Sequence, residues 1–135
     1  MNSVTDDLLF KLVFGDERNK NALIHLLNSV VGFQISEVDI RKTEMTPEFI
    51  GGKESRLDVL ATDEKGRLYN VELQKQNDIN MCERSLFYWS EVFYKQLDKG
   101  ESYDLLRKTI CINILEFKLC SCWRRSLDKF CDWLF

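Results

Sequence analysis

Apolar side chains recur at helical spacing near the start of the chain, and they predict two helices there. Gly15 is expected to end the first helix, and the second is expected to end near Gly32. The apolar face predicted for the first helix consists of Leu8, Leu9, Leu12 and Val13. The corresponding face of the second helix consists of Leu23, Leu26, Leu27 and Val30. Each of these faces is expected to pack against the rest of the domain.

Strands and one further long helix are predicted downstream. Residues 33–42 (FQISEVDIRK) alternate imperfectly and predict a first strand, and residues 55–62 and 67–75 predict a hairpin around DEKG. Apolar spacing then predicts a helix over residues 80–99, and the continuous apolar run at 108–117 (KTICINILEF) is typical of a buried strand. This order predicts an α/β (α+β) domain, in which a small mixed β-sheet is flanked by helices.

Gly66 sets the expected register of the hairpin. A three-residue loop of Glu64, Lys65 and Gly66 places the glycine where a bulged turn needs a left-handed residue. One face of the hairpin is then wholly apolar, with the opposed pairs Leu57–Leu73, Val59–Val71 and Ala61–Tyr69. The other face carries the pairs Leu60–Asn70, Asp58–Glu72 and Arg56–Gln74. A shift by one residue would set apolar residues against polar ones.

The register opposes two carboxylates, Asp58 and Glu72, on one face of the hairpin. Like charges directly opposed destabilise a sheet unless something compensates them, and Arg56 could do so in part. A divalent cation would compensate them fully, because Mg²⁺ and Mn²⁺ favour carboxylate, water and phosphate oxygens. Two other interpretations stay open from the pattern alone: a solvated polar face, and a wrongly assigned register.

Composition narrows the class of protein. The 135 residues, 44% hydrophobic and 30% charged, suit one soluble globular domain. A net charge of −3 argues against a strongly basic nucleic-acid-binding surface. Five cysteines, with no secretion signal at the start, suit a reducing cytoplasm, and a single histidine leaves few ligands for zinc. No apolar run has the length of a membrane span, so no membrane association is expected.

Three separated segments carry a family resemblance. The first holds Asp7, Phe10, Lys11 and Phe14 in a D-x-x-F-K-x-x-F pattern. The second is RLDVLATDEKGRLYNVELQ, and the third runs from ERSLFYWSEVFYKQLDKGESYDLL to the strand KTICINILEF. In this order they resemble the PD-(D/E)XK nuclease superfamily, and more narrowly its Rpn family of recombination-promoting nucleases, also described as transposases. The resemblance covers about residues 5–117 and implies a restriction-endonuclease-like core.

The resemblance implies a metal-dependent DNA endonuclease associated with recombination or transposition. Asp58 matches the family's first acid and Glu72 the acid of its E-x-K or E-x-Q element, so both are implied ligands of one or two Mg²⁺ or Mn²⁺ ions. Gln74, the third implied catalytic residue, stands where most of the superfamily has lysine. A glutamine can hold the attacking water, but it supplies no positive charge. The candidate DNA-contacting residues are Lys11, Arg56 and Arg84.

Residues 1–119 are expected to form the nuclease-like domain, followed by an atypical tail at 120–135 that suggests a truncated or frame-shifted gene copy. If the apolar residues of this tail do not fold back, they favour self-association, for example as a homodimer. The alternative function is therefore an inactive remnant that binds nucleic acid or a protein. A weaker hypothesis is an RNA-directed nuclease.

Overall fold

The computed structural model describes residues 3–41, 58–75 and 79–118, with side chains from residue 8 onward. Within these ranges the chain forms three α-helices and one four-stranded sheet. The elements are α1 (Ser3–Phe14), α2 (Lys20–Val30), β1 (Val38–Arg41), β2 (Val59–Asp63), β3 (Leu68–Gln74), α3 (Met81–Tyr94) and β4 (Thr109–Leu115), with short 3-10 turns at Glu17–Asn19 and Tyr103–Leu105. This order confirms the predicted α+β fold with its restriction-endonuclease-like core.

The sheet is mixed, as predicted, and its strands lie in the order β1-β2-β3-β4. The first three strands are antiparallel to one another in turn, whereas β4 runs parallel to β3. A parallel neighbour requires a crossover connection, and α3 provides it. None of the helices in the described ranges is both long and apolar enough to cross a membrane.

The β2–β3 hairpin has the predicted three-residue turn and the predicted register. Gly66 has φ +76°, the left-handed conformation, and its N–H donates to the Asp63 carbonyl at 2.9 Å. Val59 pairs with Val71, and Ala61 pairs with Tyr69. The pairs predicted for Arg56 and Leu57 lie outside the described residues. Turn chemistry and side-chain alternation therefore specify the same register.

Replacing Gly66 with alanine is expected to lower the free energy of unfolding by about 1 kcal/mol, because an L-residue is strained in the left-handed conformation. The new methyl group would lie 3.6 Å from the Arg107 side chain, an ordinary contact that adds no clash. Gly32→Ala is the control, since its added methyl group would meet nothing within 4 Å and the φ of Gly32 is not positive. Urea denaturation measures both changes, and an equal loss in the two variants would contradict the strained-turn explanation.

The sheet has a different cover on each face. On one face Val59, Ala61, Tyr69 and Val71 are at most 1% exposed and belong to the main core. The helical residues in this core are Phe10, Leu23 and Leu27. On the other face Leu68 packs with Val92 of α3, and Leu60 and Tyr88 lie against them. The hairpin is therefore enclosed from both sides.

The predicted apolar face of α1 is wrong. Its members Leu8, Leu9, Leu12 and Val13 are 57%, 51%, 52% and 41% exposed. The helix instead buries Phe10, and its ring lies 5.1 Å from that of Phe14, one turn later. Aromatic side chains bury more area than leucines, and this pair turns α1 so that the leucines face outward. In α2, Leu23 and Leu27 are buried as predicted, whereas Val30 is exposed.

The last predicted helix ends earlier than expected, at Tyr94 and not at Lys99. The side chain of Gln96 explains the difference. Its amide donates to the Arg107 carbonyl at 3.0 Å and to the Thr109 hydroxyl at 2.9 Å, and its Oε1 accepts the Arg107 N–H at 2.7 Å. These bonds fasten the chain after α3 to the start of β4 and stop the helix.

Candidate active site

Asp58 and Glu72 meet at the end of the hairpin. Asp58 directly precedes β2, and the pairing of Val59 with Val71 sets it opposite Glu72. The backbone N–H of Asp58 donates to Glu72 Oε1 at 3.2 Å, and the Leu73 N–H donates to Asp58 Oδ2 at 2.9 Å. Each carboxylate is thus held by the backbone of the opposite strand.

The two acids do not lie on a solvated surface. Glu72 is only 6% exposed and the Asp58 side chain 18%. The interpretation of this face as a merely solvated one is therefore wrong. The reason is that α3 covers the same side of the hairpin through Tyr88 and Val92, and the sequence pattern of the hairpin gives no sign of that cover.

The environment of Glu72 opposes its ionisation. Burial, and then the charge of Asp58, raise its pKa to about 7. The Asp58 N–H, the Asn70 amide and the charge of Arg84 act in the opposite direction but do not outweigh them. Without a further cation, Glu72 is therefore only partly ionised near neutral pH. A second positive charge at this place would favour the ionised form.

Asp63, the other buried acid of the hairpin, shows what a purely structural carboxylate looks like in this protein. Its side chain is fully buried, yet it accepts the N–H groups of Lys65 and Arg67, both at 2.9 Å, and the Tyr69 hydroxyl at 2.7 Å. The Arg67 guanidinium adds an ion pair at 2.5 Å. Burial acts to raise its pKa, but the hydrogen bonds from Tyr69 and Arg67 outweigh it, so the pKa is lowered. Glu72 has no comparable set of donors among the described residues.

Asn70 is a site residue to which the sequence assigned no role. It lies two residues before Glu72 on the same face of β3, and it is fully buried. Its amide lies near enough to Glu72 to lower the pKa of that acid. Nevertheless, neither its Nδ2 nor its Oδ1 forms a hydrogen bond of normal geometry with the described residues. An unsatisfied buried amide is costly, so a bound water or ion beside Glu72 would stabilise this arrangement. The sequence feature that could have identified Asn70 as a site residue is the series of polar residues at alternate positions, Asn70, Glu72 and Gln74.

The four remaining predicted site residues differ in where they lie. Lys11 reaches the acid pair, since its Nζ lies 3.4 Å from Asp58 Oδ1. Arg84 acts on Glu72 through its charge and lies 5.3 Å from the centre of the Tyr88 ring. Gln74 is partly exposed in β3, opposite Leu115 of β4. Arg56 lies outside the described residues, as does the tail at 120–135.

The donors present suit a divalent cation. Among the described residues there is no cluster of three or more histidine, cysteine, aspartate or glutamate side chains that could hold a metal. Two carboxylates nevertheless suffice for Mg²⁺, which keeps several waters and takes further oxygens from a phosphate. The unsatisfied Asn70 amide and the raised pKa of Glu72 both fit a cation beside the pair. Asp58 and Glu72 are thus the side chains that would hold it.

Comparison with known proteins matches the chain to one family. A family model described as PD-(D/E)XK nuclease family transposase matches residues 4–130. The match includes all the candidate residues named above, and it extends beyond the predicted domain boundary at residue 119. Searches of curated proteins and of solved structures gave no match.

Proposed function

Because the chain belongs to the PD-(D/E)XK nuclease family transposases, we propose that it is a metal-dependent DNA endonuclease that acts in recombination or transposition. The reaction is the hydrolysis of a phosphodiester bond, with Mg²⁺ or Mn²⁺ as the cofactor and the cytoplasm as the place of action. The observation that supports this most strongly is the opposed pair of Asp58 and Glu72. It consists of two acids on neighbouring strands, one of them buried and poorly compensated.

The contrast with Asp63 argues against a simple stabilising role for the pair. A buried acid that stabilises the fold needs donors, and Asp63 has them. Glu72 accepts the Asp58 N–H and faces another carboxylate, so its charge destabilises the metal-free fold. A ligand of positive charge bound at the pair would remove this cost.

Each residue of the site would have its own role in the cleavage reaction. Asp58 and Glu72 hold the metal, and their opposite-strand N–H contacts keep both carboxylates in place. When bound, Mg²⁺ or Mn²⁺ stabilises negative charge on a phosphate and lowers the pKa of water. Gln74 would orient the attacking water through its amide, and Arg84 would contact a phosphate of the DNA backbone away from the reacting bond.

The purified protein is expected to nick supercoiled plasmid DNA in Mg²⁺ or Mn²⁺ and to leave it intact in EDTA. Plasmid relaxation on agarose gels measures this, and matched DNA and RNA oligonucleotides test the choice of substrate. Faster cleavage of RNA would replace the DNA assignment with an RNA-directed nuclease.

Absence of cleavage in both metals would overturn the proposed activity. If the protein then still bound DNA with an affinity that falls steeply with salt, a non-catalytic nucleic-acid-binding module would be the better description. Wild-type protein from which metal has been stripped and then restored is the control for lost cofactor.

A further inference from the structure

Lys11 forms an ion pair with Asp58 that the sequence pattern does not predict. It lies on α1, far along the chain from the hairpin, and its ammonium is 3.4 Å from Asp58 Oδ1. The neighbouring residue Phe10 is 8% exposed and belongs to the main core. The backbone beside Lys11 is therefore fixed by packing, while its side chain points to the acid pair.

The ion pair contributes little to stability. The Lys11 side chain is 39% exposed, and exposed pairs contribute about 0–1 kcal/mol because water and salt screen them. Lysine also carries its charge on a long flexible stem, so the ammonium can exchange one anionic partner for another without movement of the helix. A structural role therefore accounts poorly for a lysine at this place.

A phosphodiester bound at Asp58 and Glu72 would need a positive charge beside it, and Lys11 can supply one. A phosphodiester entering the site adds negative charge next to two carboxylates, and Gln74 is neutral. Of the two candidate cations in the described residues, Arg84 lies against the Tyr88 ring. Lys11 is already at an Asp58 oxygen and is partly exposed.

We propose that Lys11 is a catalytic residue whose ammonium contacts the scissile phosphate at the Asp58–Glu72 pair, and so supplies the positive charge that Gln74 lacks. Its ligand is the phosphodiester of DNA, and the proposal rests on the proposed function. In the metal-free protein the same ammonium neutralises Asp58, and it therefore competes there with a divalent cation.

Lys11→Met separates this role from a structural one, because it should move two quantities in opposite directions. The apparent affinity for Mn²⁺, measured by calorimetry without DNA, should rise about 5-fold because a competing charge is removed from Asp58. The kcat for plasmid nicking should fall about 100-fold with little change in KM, as expected for a lost contact that strengthens in the transition state. Lys11→Arg keeps the charge and should retain most of the activity.

Lys20→Met is the matched control. Lys20, on α2, is also 39% exposed and also forms an ion pair, with Glu17. The acids whose charges act on it are Glu17, Asp39 and Glu37, and neither Asp58 nor Glu72 is among them. Both its Mn²⁺ affinity and its kcat should stay within about 2-fold of wild type, as for an ordinary surface pair.

Four results would overturn the proposal. Unchanged kcat in Lys11→Met would remove Lys11 from the reaction while the nuclease function stands. A parallel fall of Mn²⁺ affinity and kcat would indicate a structural role, as would an equal loss in Lys11→Arg. A wild-type protein that does not cleave DNA would overturn both the proposed function and the role of Lys11.

Discussion

Asp58→Asn and Glu72→Gln are each expected to lower the rate of metal-dependent DNA cleavage by at least about 1,000-fold, because a metal site that loses one of two carboxylates loses several kcal/mol of transition-state stabilisation. Both changes keep the size of the side chain. An asparagine oxygen at position 58 can still accept the Leu73 N–H, and a glutamine oxygen at 72 can still accept the Asp58 N–H. The loss should therefore come from charge and not from misfolding.

Two comparisons make this result specific. Asp39→Asn removes an exposed carboxylate from β1 of the same sheet and should leave the cleavage rate unchanged. The double variant of Asp58 and Glu72 should be no slower than either single variant, since groups that act as one unit are not additive. Plasmid nicking under single-turnover conditions gives all four rates. Wild-type rates in both single variants would remove the acid pair from the mechanism.

The hairpin could be predicted from the sequence because its information is local. Gly66 fixes the turn, and the alternation of apolar residues on either side permits only one register. The turn and the pattern agree, so the opposition of Asp58 and Glu72 follows from a short stretch of chain. The family resemblance rested on this stretch and on two further segments, and the family match over residues 4–130 confirms it.

Features that depend on distant parts of the chain could not be predicted in this way. The α1 prediction was wrong because several apolar stripes compete on that helix, and the shape of the core selects Phe10. The early end of α3 depends on bonds from Gln96 to β4. The burial of Glu72 under α3 and the approach of Lys11 to Asp58 are likewise contacts between elements. Sequence pattern therefore identified the acids but not their environment.

The second large effect concerns stability in the absence of metal. In EDTA, Glu72→Gln is expected to be about 3 kcal/mol more stable than wild type at pH 8, although it is inactive. The pKa of Glu72 is about 7 in the folded protein against an ordinary value of 4.5, so the folded state binds its proton more tightly than the unfolded chain does. Protonation of Glu72 therefore adds to the free energy of unfolding. This contribution is fully present below pH 4.5 and is lost as the pH rises through 7. Glutamine cannot ionise and avoids the loss.

The difference between Glu72→Gln and wild type should therefore be small at pH 4.5 and should grow with pH, as measured by urea denaturation in EDTA. Glu64→Gln provides a control of opposite sign. The pKa of Glu64 is lowered by backbone N–H groups, its own first and then those of Glu37 and Ser36, so removing its charge should weaken the fold as the pH rises.

Saturating Mn²⁺ should stabilise wild type at pH 8 but not Glu72→Gln, since only the carboxylate pair holds the cation. A difference that does not change with pH would show that Glu72 is no more costly to ionise than an ordinary surface acid. The argument for a cation at this pair would then lose its electrostatic basis.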